Sequence, residues 1–80
     1  MKKDKLHPEK FKVDQEVTLK FASTFKNRHW QSYSKEEKWI VNSVSPSVIL
    51  LHLKGHKNQK HRLLNEDISS GFVRIVRINE

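Results

Sequence analysis

From Phe11 to Phe21 the chain alternates. Phe11, Val13, Val17, Leu19 and Phe21 fall on one side of an extended backbone, and Lys12, Asp14, Glu16, Thr18 and Lys20 on the other. A period of two marks a half-buried strand with one wet face. Asp14-Gln15 is a turn candidate inside the run, so the strand proper starts near Glu16. Trp39-Ile40-Val41-Asn42-Ser43-Val44 is aromatic and β-branched and reads as a second strand. Ser45-Pro46-Ser47 is a turn, because proline cannot donate in a ladder. Val48 to Leu53 is apolar except for His52 and reads as a central strand. A short strand is expected over 60–64 and a closing strand, Phe72-Val73-Arg74-Ile75-Val76-Arg77-Ile78, at the end. Asn65 to Gly71 suits one helical or 3₁₀ turn stopped by glycine.

The remaining segments lack periodicity. Residues 1–10 are polar, basic and proline-containing, and read as a flexible arm ahead of a domain spanning 11–80. Residues 22–38 show no strand pattern and read as a long early loop; within it, Ser34 and Glu37 have the spacing of a capping box and predict a single helical turn. Strands near 16–22, 38–44, 47–54, 60–64 and 72–78 describe a small five-stranded antiparallel barrel, all-β, whose core holds Val17, Leu19, Trp39, Val41, Ile49, Leu51, Ile68, Val73 and Ile75.

This order resembles the SH3-like barrel, including its nucleic-acid-binding KOW and Tudor-like versions. The resemblance covers roughly residues 11–78 and is carried most specifically by Phe11-x-Val13-x-x-x-Val17-x-Leu19, which is similar to the opening strand of many such barrels. Those barrels often have Gly-Asp in the turn where this chain has Asp14-Gln15. The family includes peptide, RNA and DNA binders and small phage or plasmid proteins; a short chain rich in lysine and asparagine is similar to the last group. Fold alone assigns no function.

Size and charge narrow the classes. Eighty residues make one domain, and a chain this short buries only ~60–65% of its unfolded surface. It has no cysteine, hence no disulfide and no thiolate metal site. The basic start, Met1-Lys2-Lys3-Asp4-Lys5, is followed by polar residues, unlike a signal peptide, and no run approaches the ~18 apolar residues of a membrane span. A cytoplasmic protein is expected. Sixteen Lys and Arg against nine Asp and Glu leave a net charge of +7, which favours anionic partners.

The positive charge is clustered. Lys54-Gly55-His56-Lys57-Asn58-Gln59-Lys60-His61-Arg62 holds four fixed cations and no acid, between two apolar runs. It reads as a solvated hairpin tip in which Lys54, Lys57, Lys60 and Arg62 contact phosphates. The early loop holds Phe25, Lys26, Arg28, His29, Trp30 and Tyr33, with no acid from Ala22 to Lys35. Flat rings stack on unpaired bases while interleaved cations hold the backbone, so Lys26, Arg28, Trp30 and Tyr33 join the candidate site. Arg74 and Arg77, three apart, face opposite sides of a regular strand and share a face only across a bulge.

Catalysis and metal binding lack support. His52, His56 and His61 have no Cys, Asp or Glu close in sequence to complete a zinc site. A ribonuclease pairing of His29 or His61 with Glu36 or Glu37 has nothing to fix its geometry, and the two glycines, Gly55 and Gly71, form no phosphate-cradling loop. The expectation is a non-enzymatic, cofactor-free module that binds DNA or RNA. The alternative is a protein-interaction module, a phage or plasmid factor anchored on a host protein by Phe25, Trp30 and Tyr33 with Arg28 beside them.

Overall fold

The computed structural model describes residues 6–79. Six strands follow a short 3₁₀ turn at Pro8–Lys10: β1 (Glu16–Lys26), β2 (His29–Tyr33), β3 (Glu37–Val44), β4 (Val48–Leu53), β5 (His56–Leu64) and, after one short helix α1 (Asn65–Ser69), β6 (Val73–Ile78). All pairings are antiparallel: β1 pairs with β2, β3 and β6, β3 with β4, and β4 with β5. The sheet curls into a small barrel-like fold, an unclosed half-barrel with no ladder between β5 and β6 among the described residues. This is an all-β architecture compatible with an SH3-like one, with six strands where the alternation predicted five. Among the described residues no helix is long and apolar enough to cross a membrane.

The inner face follows from the alternation. Val17 and Leu19 of β1, Trp39 and Val41 of β3, Ile49 and Leu51 of β4, Leu63 of β5 and Val73 of β6 are buried, and Ile68 of α1 closes one side. Of the expected core only Ile75 is half-buried, packed against the rest. Leu6 and Phe11 complete the cluster, and the Leu6 N–H donates to Asn65 Oδ1 at 3.0 Å. Of the segment expected to form an arm, residues 6–10 thus carry Leu6 in the core cluster and the 3₁₀ turn; residues 1–5 lie outside the described residues.

Two stretches depart from expectation. Residues 22–33 form a two-stranded ribbon instead of a loop. β1 runs on past the barrel to Lys26, and β2 returns along it with Phe25 opposite Trp30 and Lys26 opposite His29. The turn has Asn27 and Arg28 both at positive φ, 53° and 63°, as a two-residue type I′ connection requires. The capping-box helix is absent: Glu37 opens β3 opposite Leu19, where a ladder partner outweighs the local helical preference. The second departure is the basic segment. Its turn is only Lys54-Gly55, with Gly55 at φ 84°, and His56 onward belongs to β5.

Candidate nucleic-acid interface

Residues opposite one another in an antiparallel ladder share a face, so the registers define what lies outside the barrel. On β1 the outward residues are Glu16, Thr18 and Lys20. Thr18 stands between Arg77 of β6 and Lys38 of β3, and Lys20 stands opposite Arg74. A bulge makes this possible. The β1–β6 register shifts between Thr18 and Leu19, leaving Val76 as the extra residue, so Arg74 and Arg77 both point outward. Arg74, Arg77 and Lys38 are exposed and Lys20 is half-exposed.

The acid on this face is already engaged. Glu16 accepts from Lys54 Nζ at 2.7 Å and from Asn79 Nδ2 at 2.9 Å, and Lys38 Nζ lies 4.0 Å away. The Lys54 hydrogen bond, opposed by partial desolvation and aided by the charges of Lys54 and Lys38 and by Asn79, holds the Glu16 carboxyl below its ordinary value. Lys54, expected to contact phosphate at a free tip, is thus bridged to Glu16. Lys20, Arg74 and Arg77 form no ion pair among the described residues.

The other basic-segment residues lie further along the same outer face. Lys60 stands opposite His52, and Arg62 opposite Leu50. Between the Leu53–His56 and His52–Lys60 pairs, three residues, Lys57, Asn58 and Gln59, have no ladder partner and bulge from β5. Lys57 and Lys60 share a shallow cleft with Asp14, Asn42, His52 and Asn58.

The ribbon divides its residues between the two faces. Tyr33 pairs with Ala22 and Lys26 with His29 on the outer side, whereas Phe25 and Trp30 lie on the inner side. Trp30 packs on Phe72, with ring centroids 4.7 Å apart, and on Phe25 at 5.0 Å. The aromatic series continues inward from Phe72 to Phe21 and from Phe21 to Trp39 and His61. Phe25, at the outer end, is 57% exposed. Tyr33 is half-buried, since its hydroxyl donates to the Gly71 carbonyl and its ring lies beneath the Arg74 guanidinium, 4.7 Å from centroid to Cζ. Arg28 projects from the turn, exposed. The expected loop and tip therefore share the outer face through Lys26, Tyr33, Lys60 and Arg62, while Trp30 belongs to the opposite side.

Reasoning from the sequence missed Lys20 and Lys38, which alternation alone would have placed outside beside Thr18. The histidines disperse. His52 Nδ1 donates to Asn42 Oδ1, and His61 Nε2 lies 3.4 Å from Asp67 Oδ2, too poorly aligned for a hydrogen bond. No group of three or more His, Cys, Asp or Glu among the described residues is arranged to hold a metal. No protein-family model, curated protein or solved structure matches the chain.

Proposed function

We propose that the protein is a cytoplasmic nucleic-acid-binding module that grips phosphates with the outer face of its sheet. The observation that carries this reading is the Val76 bulge, which gathers Arg74 and Arg77 beside Lys20 and Lys38 with Glu16 as the acid among them. Lys60 and Arg62 extend the cationic face across β5, and Lys26 and Arg28 extend it along the ribbon. Exposed cations without acidic partners neutralise phosphates and release counterions, the main sequence-independent source of affinity for DNA and RNA. Phe25, backed by Trp30, is the ring most available for stacking on a base. In this reading the chain works as the KOW and Tudor-like SH3 barrels do, whether its origin is a phage, a plasmid or a cellular genome.

A protein-interaction role is favoured by one feature, the exposed Phe25 backed by half-buried Trp30 on a ribbon whose strands, among the described residues, pair only with each other beyond Ala22. Salt separates the two roles, because phosphate contacts weaken steeply with ionic strength and an aromatic anchor does not. Fluorescence anisotropy with labelled single- and double-stranded oligonucleotides is expected to show binding that falls steeply as salt rises. Absence of binding to DNA and RNA at low salt would overturn the nucleic-acid reading and leave the ribbon to be tested against proteins.

A further inference from the structure

The cleft between the Asp14 turn and the β5 bulge has a composition that phosphate contact alone does not explain. It measures about 470 Å³ and is lined by Asp14, Asn42, His52, Lys57, Asn58 and Lys60. Its walls are fixed by backbone bonds. Gln15 N–H donates to Lys12 O at 3.1 Å and Lys12 N–H to Gln15 Oε1 at 3.0 Å, closing a turn with Asp14 at φ 69°. Asp14 N–H donates to Val41 O at 2.8 Å, and Val41 N–H to Gln15 O at 2.9 Å, which ties the turn to β3. The β3–β4 register breaks at Asn42, whose side-chain oxygen accepts a hydrogen bond from His52 Nδ1. The far wall is the unpaired Lys57–Gln59 segment.

The polar groups are held open. Asp14, Lys57 and Lys60 enter no ion pair among the described residues, although all three line one cleft. A site for a bare phosphate gains nothing from a carboxylate, which repels it. A ligand that carries a negative group and, a few ångströms away, a pair of N–H donors uses all three charges. A guanine nucleotide has this chemistry. Its Watson–Crick edge presents N1–H and the 2-amino group side by side, and a carboxylate accepts both in charge-assisted bonds. Adenine and cytosine present one amino donor beside an acceptor, and uracil one N–H between two carbonyls. Guanine offers that edge only when unpaired. The volume falls within the range of small-ligand sites.

We propose that this cleft seats an unpaired guanine of a single strand, with Asp14 accepting from its Watson–Crick edge while Lys57 and Lys60 hold the adjoining phosphates. The assignment rests on the nucleic-acid reading above and adds base selectivity to it.

The test compares three labelled strands by anisotropy: an oligothymidylate, the same strand with one central guanine, and the same strand with one central adenine. The guanine strand is expected to bind at least ~5-fold tighter than the other two, the discrimination of one bidentate pair. Asp14→Asn keeps the turn, because asparagine tolerates positive φ, and its denaturation curve confirms folding. This variant is expected to lose the guanine preference while binding the guanine-free strand at least as tightly as the parent. Lys57→Ala is expected to weaken all three strands alike. Equal binding of the three strands by the parent, or a guanine preference that survives Asp14→Asn, would overturn the guanine assignment and leave the general nucleic-acid reading intact. Failure to bind any of the three strands at low salt would overturn the guanine assignment, and the nucleic-acid reading falls with it only if duplex DNA and RNA also fail to bind. GMP competing as effectively as the guanine strand would overturn the assignment to a strand, because a free nucleotide makes none of the outer-face contacts.

Discussion

Replacing Arg74 and Arg77 together by alanine tests the outer face directly. Both side chains are exposed, both point outward because of the Val76 bulge, and neither pairs with an acid among the described residues. If each touches one phosphate, the slope of log affinity against log salt flattens by ~0.7 per contact on a single strand, or ~1.4 for the pair. Over a fourfold salt range, from ~50 to ~200 mM, that difference narrows the affinity gap between parent and variant by ~7-fold. The fold is expected to survive. Among the described residues the specific contact made by these side chains is the Arg74 stack on Tyr33, and an exposed cation–π contact contributes about 0.5–1 kcal/mol. In a domain of this size that corresponds to a fall in Tm of only a few degrees. Anisotropy isotherms at four salt concentrations, with thermal melts of both proteins, measure each quantity. Parallel salt slopes and equal affinities from a folded variant would refute the placement of phosphates on this face.

Other perturbations probe the remaining links. Leu51→Ala removes a fully buried side chain from β4 and is expected to cost ~2–5 kcal/mol, read as a fall in the urea midpoint. The Glu16 carboxyl, held below its ordinary value chiefly by Lys54, contributes stability that is present above that value and lost as the pH falls through the folded one. Glu16→Gln should therefore lower the midpoint at neutral pH and make little difference in strong acid, while freeing Lys54 and Lys38 to steepen the salt slope of binding. Tyr33→Phe removes the hydrogen bond to the Gly71 carbonyl and is expected to destabilise by ~0.5–1.5 kcal/mol with an unchanged salt slope. Deleting Val76 should be tolerated, because it turns a bulged register into a regular one with the same residues inside and outside; a protein unfolded by this deletion would contradict the β1–β6 pairing.

Segments with one dry face were the legible ones. Val17 and Leu19 state their side through period two, whereas Trp39 and Val41, Ile49 and Leu51, and Val73 lie in β-branched or apolar runs that mark a strand without marking its inward side; all are buried. The ribbon at 22–33 was illegible for the same reason. Ser23, Thr24, Gln31 and Ser32 are all exposed, so no alternation marks its strands. Its signals were smaller: an Asn27 suited to positive φ, and Phe25 and Trp30 at the spacing of a cross-strand pair. The Lys54–Arg62 stretch reads as a solvated tip, with a strand expected only from residue 60, because charge suggests solvent. A strand that pairs on one edge alone can be as charged as a loop, and among the described residues β5 pairs only with β4. Lys54 could not be matched with Glu16 from sequence, since 38 residues separate the partners and only the curl of the sheet brings them together.

The bulge in β6 has a physical reason that makes the cationic face a consequence of the core. In Val73-Arg74-Ile75-Val76-Arg77-Ile78 the two arginines are three apart and the apolar residues do not alternate throughout. A regular ladder with Val73 and Ile75 inside would also place Arg77 inside and Ile78 outside. Burying an unpaired guanidinium in this small core would cost several kcal/mol. Shifting the register by one residue at Val76 instead keeps Val73, Ile75 and Ile78 against the core and both arginines in water, at the expense of a valine that is 40% exposed. Exposing part of one valine forfeits about 1 kcal/mol or less of transfer free energy, so the bulged register wins. Burial in β6 thus decides that Arg74 and Arg77 emerge together, opposite Lys20 and Thr18 and one strand away from Lys38.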